Sequence, residues 1–270
     1  MEKIRQAIER AKARIEQQSE AAPDIPLKQV TGGLWGASQR QAEAIELNLA
    51  HLQSRRAVAY DGQDTRSRPF DILRTEVLQS MDLKDWKILA VTSPTPSCGK
   101  TLTAVNLALS MGRQPDRQVL LADLDLRKPQ VAATLGLKCR DGLLGVVDGS
   151  TAIESAIATV RAGKSRFEVL PTAPTANASD LVDSSAFMGV LRDLIVSRRS
   201  QIMILDLPPV LTSHDVISIL PQVDCVLLVG AVGVSKLAEI EECSKYLQAT
   251  DVVRFVLNKV PEAATTYAYY

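Results

Sequence analysis

A lysine and a threonine close a short loop at Gly99-Lys100-Thr101, within ILAVTSPTPSCGKT at residues 88–101. Four apolar residues lead in like a buried strand, and LTAVNLALSMG follows with helical character. Strand, loop, Gly-Lys-Thr and helix make up the arrangement of a phosphate-binding loop. Gly99 lets the main chain approach an anion without a Cβ clash. The N–H groups of Ser97, Cys98, Gly99, Lys100 and Thr101 can turn inward at the positive end of the helix. Lys100 supplies a point charge for the phosphates and Thr101 a hydroxyl for Mg²⁺. Pro94 stands where the full pattern has its first glycine, and neither Pro94 nor Pro96 offers an N–H. The second half of the loop must therefore carry the cradle. Alone, Gly-Lys-Thr is also compatible with an ordinary strand-to-helix turn.

Carboxylates follow at the spacing such a loop needs. VLLADLDLR at 119–127 ends an apolar run with Asp123 and Asp125, two apart, which on a strand project to one face. Two like charges there are unfavourable without a cation, and Mg²⁺ takes oxygen ligands. The alternative is a pair of solvated loop acids. IMILDLPP at 202–209 ends a third apolar run on Asp206, in the position of a metal-organising acid. Pro208 and Pro209 stop that strand. Three of the five tyrosines, Tyr267, Tyr269 and Tyr270, lie in the last four residues, after a small, polar stretch. A mobile tail of phenols suits a phosphoryl acceptor, although an aromatic anchor for a partner groove fits the same residues. A phenol with a pKa of about 10 must lose its proton to a nearby base during attack.

These groups need a scaffold. Strand patterns at 88–91, 118–122, 167–170, 202–205, 225–229 and 254–257 alternate with helical ones at 70–81, 102–112, 185–198 and 235–250. That alternation predicts an α/β fold, a mostly parallel sheet with helices on both faces, binding its ligand at the carboxyl ends of the strands. Residues 1–20 predict an amphipathic helix whose thin stripe (Ile4, Ala7, Ile8, Ala11, Ile15) suits docking on a partner or short coiled-coil pairing. Residues 21–69 read as a linker or irregular extension, with 39–56 ambiguous between strand and helix. The main α/β domain is expected over 70–261, and the tail over 262–270. Lys+Arg and Asp+Glu number 31 each, so no broad nucleic-acid-binding surface is expected. No apolar run approaches the roughly 18–20 residues of a membrane span, and the charged N-terminus is unlike a signal peptide. The expectation is a cytoplasmic protein held at the membrane only by a partner. Cys98, Cys139, Cys225 and Cys243 lack metal-ligand spacing and read as reduced thiols.

In order, the loop, the apolar run before Asp-x-Asp-x-Arg and the run before Asp-x-Pro-Pro resemble the bacterial tyrosine kinases (BY-kinases). They are most similar to the soluble CpsD/CapB-type autokinases of capsule and exopolysaccharide biosynthesis. The resemblance covers residues 70–261, with Asp-x-Asp-x-Arg its most specific part. It implies a P-loop NTPase-like fold and ATP and Mg²⁺ as cofactors. It also implies ATP contacts from Ser97, Cys98, Gly99, Lys100, Thr101, Leu102 and Arg127, with Asn258 near the adenine. Asp123 would take the tyrosine proton, and Thr101, Asp123, Asp125 and Asp206 would organise the metal. The phosphoacceptors would be Tyr267, Tyr269 and Tyr270, modified mainly between subunits. Implied partners are a membrane-embedded chain-length regulator as activator, further copies of the chain and a phosphotyrosine phosphatase. One departure lies in the helix before the loop, where the family's Glu-x-x-Arg-x-x-Arg ring-assembly pattern is replaced by Arg68, Asp71 and Arg74.

Two other readings share the fold. A ParA/MinD-like ATPase switch would carry a second lysine early in the loop, where this chain has Thr95. A nucleotide-binding scaffold of a polysaccharide export complex would transfer no phosphate.

Overall fold

The computed structural model describes residues 44–248 and 250–261. The helix expected at 1–20 and the tail at 262–270 lie outside the described residues. The strands are β1 (Ile45–Glu46), β2 (Ile88–Thr92), β3 (Val119–Asp123), β4 (Ala158–Ala162), β5 (Ser165–Leu170), β6 (Ile202–Asp206), β7 (Cys225–Ala231) and β8 (Asp251–Asn258). The longer helices are α1 (Leu49–Ser54), α2 (Arg68–Lys84), α3 (Lys100–Met111), α4 (Ser185–Ser197) and α5 (Leu237–Tyr246), and among the described residues five short α-helical turns and two 3₁₀ turns lie between them. The strands form one sheet in the order β1-β4-β5-β3-β6-β2-β7-β8. Each neighbouring pair is parallel except β4 with β5.

The central strands are apolar throughout because both faces are covered. Leu89 and Val91 of β2, Leu121 of β3, Ile204 of β6 and Leu227 of β7 join the core under α2 and α3. The alternate residues Ala90, Leu120, Met203, Leu205 and Val226 face the other core, with Phe187, Leu191 and Leu194 of α4. Period-two alternation thus feeds two hydrophobic layers, which is why the strands read as unbroken apolar runs. Helix α3 is buried almost all round, between α2 and the sheet. Its position brings the loop at its N-terminus to the middle of the sheet, where β2 lies between β6 and β7.

Residues 44–67 are part of this domain rather than an irregular extension, which corrects the boundary expected at residue 70. β1 adds to the sheet edge beside β4, and Leu47, Leu52, Ala57, Ala59 and Tyr60 enter the core. The fastening is polar. Asn106, fully buried on α3, accepts from the N–H groups of Val58 (2.8 Å) and Ala59 (3.0 Å) and donates to the oxygens of Arg56 (3.1 Å) and Leu102 (2.9 Å). All its hydrogen-bonding capacity is used, as a buried amide requires.

Asp71 and Arg74, at two of the positions of the expected Glu-x-x-Arg-x-x-Arg pattern, are engaged within the subunit. Asp71 accepts from Arg113 and Ser110, and Arg74 Nη1 lies 3.5 Å from the same carboxylate oxygen and 3.2 Å from the Ser110 oxygen. Burial pushes the Asp71 carboxyl up, but the bonds from Arg113 and Ser110 and the charges of Arg113 and Arg74 outweigh it and hold it below its ordinary value. A carboxylate whose folded pKa is depressed adds stability that is present above its unfolded pKa of about 4 and lost as pH falls through the folded one. Asp71→Asn is therefore expected to destabilise the chain by about 1–3 kcal/mol at neutral pH. Urea titrations should show the gap from the parent closing below about pH 4.

Candidate active site

The site is assembled from the carboxyl ends of β2, β3 and β6. After β2 the chain turns through Ser93, whose hydroxyl donates to the Thr95 oxygen at 2.8 Å, and Thr92 Oγ1 donates to the Pro208 oxygen at 2.7 Å. The first of these pins the proline-rich half of the loop, and the second ties its start to the turn after β6. Ser97 (φ 67°) and Gly99 (φ 92°) lie in the left-handed region, and α3 begins at Lys100. Such a loop forms a concave nest of main-chain N–H groups. Among the described residues, the N–H groups of residues 97–102 have no hydrogen-bond acceptor.

Lys100 bends back over the acids. Its Nζ lies 2.8 Å from Asp125 Oδ2 and 3.6 Å from Asp206 Oδ1, with side chains that are nearly or fully buried. Burial alone would lower the ammonium's pKa, but the charges of Asp206 and Asp125 outweigh it and raise it. Thr101 Oγ1 donates to Asp206 Oδ2 at 2.6 Å. The other oxygen of this fully buried carboxylate, Oδ1, has no hydrogen bond among the described residues. Burial raises the Asp206 carboxyl, against the charge of Lys100 and the bond from Thr101.

Asp123 and Asp206 are cross-strand partners on β3 and β6. Asp123 is fully buried, and its Oδ2 accepts from the N–H groups of Gln130 and Val131 at 3.0 Å each. Its Oδ1 accepts from Asp125 N at 3.2 Å. Burial first, and then the charge of Asp206, raise its pKa well above the ordinary carboxylate range, more than the bond from Val131 and the charge of Lys100 lower it. The strand ends at Asp123, so Asp125 reaches Lys100 from the following loop and not by alternation along the strand.

Of the residues expected from sequence, Lys100, Thr101, Asp125 and Asp206 are in mutual contact, with Asp123 directly behind them. Arg127 is half exposed and engaged elsewhere: its Nε lies 3.3 Å from Asp215 Oδ2 and its Nη2 donates to Ser179. Asn258, at the end of β8, touches the loop itself, donating to the Cys98 oxygen at 2.9 Å. Sequence reasoning passed over Ser235, whose hydroxyl lies 3.3 Å from the Cys98 thiol. A serine in a turn carries no signal of a contact made 137 residues away. The four cysteines are free thiols.

The residues present suit a nucleotide with a divalent cation. Unengaged N–H donors at a helix start fit phosphate oxygens. A buried carboxylate oxygen without a hydrogen bond among the described residues, beside a threonine hydroxyl and a second acid, fits Mg²⁺, which uses one or two carboxylates and completes its shell with phosphates and water.

No family model matches the chain. It is similar to tyrosine-protein kinase wzc of Salmonella typhimurium, at 27% identity over 249 residues, 91% of this chain and 33% of that protein. The chain thus spans about a third of the length of that relative. It is also similar to CapB of Staphylococcus aureus, at 28% identity over 214 residues, 77% of this chain and 91% of CapB. In three dimensions it resembles the kinase domain of the Escherichia coli tyrosine kinase ETK, with a TM-score of 0.69 and 26% identity over 79% of this chain and 84% of that one. A sequence likeness running along nearly all of CapB and a fold like that of the ETK kinase domain agree: in both sequence and structure the chain is similar to the bacterial tyrosine kinases.

Proposed function

We propose that this chain is an ATP- and Mg²⁺-dependent protein-tyrosine kinase that phosphorylates Tyr267, Tyr269 and Tyr270 of its own sequence, mainly between subunits. Its role would be to regulate capsule or exopolysaccharide synthesis and export. The observation that carries the reading is the buried contact set of Lys100, Thr101, Asp125 and Asp206 at the end of three parallel strands. When bound, ATP with Mg²⁺ supplies the phosphoryl group and the positive charge that offsets its oxygens. The N–H groups of residues 97–102 and Lys100 hold the phosphates. Thr101, Asp125 and Asp206 hold the cation. Asp123 is the proton acceptor for the tyrosine, its basicity raised by burial and by Asp206.

An ATPase switch of the ParA/MinD kind is less well supported. Thr95 occupies the place of the extra lysine, and its main-chain oxygen is taken up by Ser93 and Cys98 inside the loop. Among the described residues no helix is long and apolar enough to cross a membrane. The proposed partners are a membrane-embedded chain-length regulator that activates the kinase at the inner face of the membrane, and a phosphatase that resets it.

Transfer between subunits can be tested by mixing. A Lys100→Met chain, with its tyrosines intact, is combined with a chain carrying Tyr267→Phe, Tyr269→Phe and Tyr270→Phe. Given ATP, Mg²⁺ and activator, the first chain should gain phosphotyrosine although neither chain does so alone. No phosphotyrosine in the mixture, with normal labelling of the unaltered chain, would contradict transfer between subunits.

A further inference from the structure

Cys98 is gripped from two sides. Its main-chain oxygen accepts from Asn258 Nδ2 at 2.9 Å, and its thiol donates to the Thr95 oxygen at 3.2 Å and lies 3.3 Å from Ser235 Oγ. Ser235 is itself fixed, accepting from Ala231 N at 3.0 Å. The Asn258 amide has a defined orientation, because its Oδ1 accepts from Lys259 N at 2.8 Å and leaves Nδ2 turned to the loop. A Cβ on Gly99 would run into that same Nδ2. The ends of β7 and β8 therefore hold the loop on the side opposite the acids of β3 and β6.

In a planar trans peptide the C=O and the following N–H point in opposite directions. Fixing the Cys98 oxygen on Asn258 therefore fixes the Gly99 N–H on the other side of the peptide. Pro94 and Pro96 contribute no N–H, so the alignment of the remaining donors decides how well an anion is held.

We infer that Asn258 is a positioning residue for the phosphates: it holds the Cys98–Gly99 peptide in its anion-binding orientation, apart from any contact with the base. The inference rests on the nucleotide-binding reading above. It predicts that Asn258 matters to a ligand that has no base at all.

The test uses calorimetric binding of ATP and of inorganic tripolyphosphate, each with Mg²⁺, to the full chain. The variants are Asn258→Ala and Asn258→Leu, which remove the donor with and without loss of volume. The expected result is that both ligands weaken by the same factor, about five- to tenfold, as for one lost hydrogen bond. The unliganded melting temperature should stay close to that of the parent. Weakened ATP with unchanged tripolyphosphate would make Asn258 a base contact only and overturn the inference, as would no change for either ligand. Equal weakening with a collapsed melting temperature in both variants would make the effect one of folding and also overturn it. An unaltered chain that binds neither ligand would overturn the nucleotide-binding reading itself, and the inference with it.

Discussion

Lys100→Met is expected to lower phosphorylation of the tail by at least about 10²–10³-fold, the size of effect seen when one positioned electrostatic donor is removed. The ammonium is in ionic contact with Asp125 and Asp206, at the start of the helix that follows the loop. Methionine keeps much of the volume and none of the charge. A second effect follows in the unliganded protein, because the substitution leaves buried carboxylates without their counter-charge. Breaking a buried pair in this way costs about 3–5 kcal/mol, less whatever the acids recover by taking up protons. Removing Lys100 removes an influence that lowers Asp206, so the variant should regain stability as the pH is reduced and the acids protonate. Phosphotyrosine quantification and denaturant titration at two pH values read the two effects separately. Undiminished phosphotyrosine in the variant would sink the mechanism.

Asp123→Asn is expected to separate activity from stability. If Asp123 accepts the phenolic proton, its loss should reduce transfer by about 10²–10⁴-fold. The unliganded chain should nevertheless become more stable, by about 1–3 kcal/mol. Asp123 is fully buried beside Asp206, and asparagine removes both the burial penalty on the charge and the repulsion. Its oxygen can still accept from the N–H groups of Gln130 and Val131, and only the longer bond from Asp125 N is lost. The pH dependence follows from the sign of the shift. A carboxyl whose folded pKa is raised contributes stability that is fully present below the unfolded value of about 4 and lost as pH rises through the folded one. The parent should therefore lose stability over that window relative to the variant. Full transfer activity in Asp123→Asn would move the proton acceptor to Asp125, the less buried of the two acids.

The residues of the proposed site are legible in the sequence because their requirements are local. Lys100 and Thr101 must follow a strand and open a helix, and Asp206 must end a strand, so each carries a recognisable neighbourhood. The central strands were legible for a related reason: with both faces covered, they are apolar without interruption. What the sequence hid depends on distant partners. Residues 44–60 lack a clear period, and Asn106, which fastens them, looks like a polar lapse in an apolar helix until its four bonds are seen. β4 was missed because it is an antiparallel strand near the sheet edge, where Arg161 is exposed and the apolar run is broken. The pairing of Arg127 with Asp215 and the hold of Ser235 on Cys98 join elements far apart in the chain. The sequence sets Asp123 and Asp125 side by side, but their difference is not visible in it. One is enclosed by main-chain N–H groups, and the other is paired with Lys100 from beyond the strand end.

The central claim is phosphoryl transfer to the chain's own tyrosines, and site mapping tests it most directly. The full chain is incubated with ATP and Mg²⁺, with and without a membrane activator, and phosphotyrosine is located by mass spectrometry alongside a count of ATP consumed. The account predicts phosphate on Tyr267, Tyr269 and Tyr270, rising with ATP consumption. ATP consumed without tyrosine phosphate would favour a switch ATPase, and neither consumption nor transfer would favour a scaffold. Either result would contradict the account.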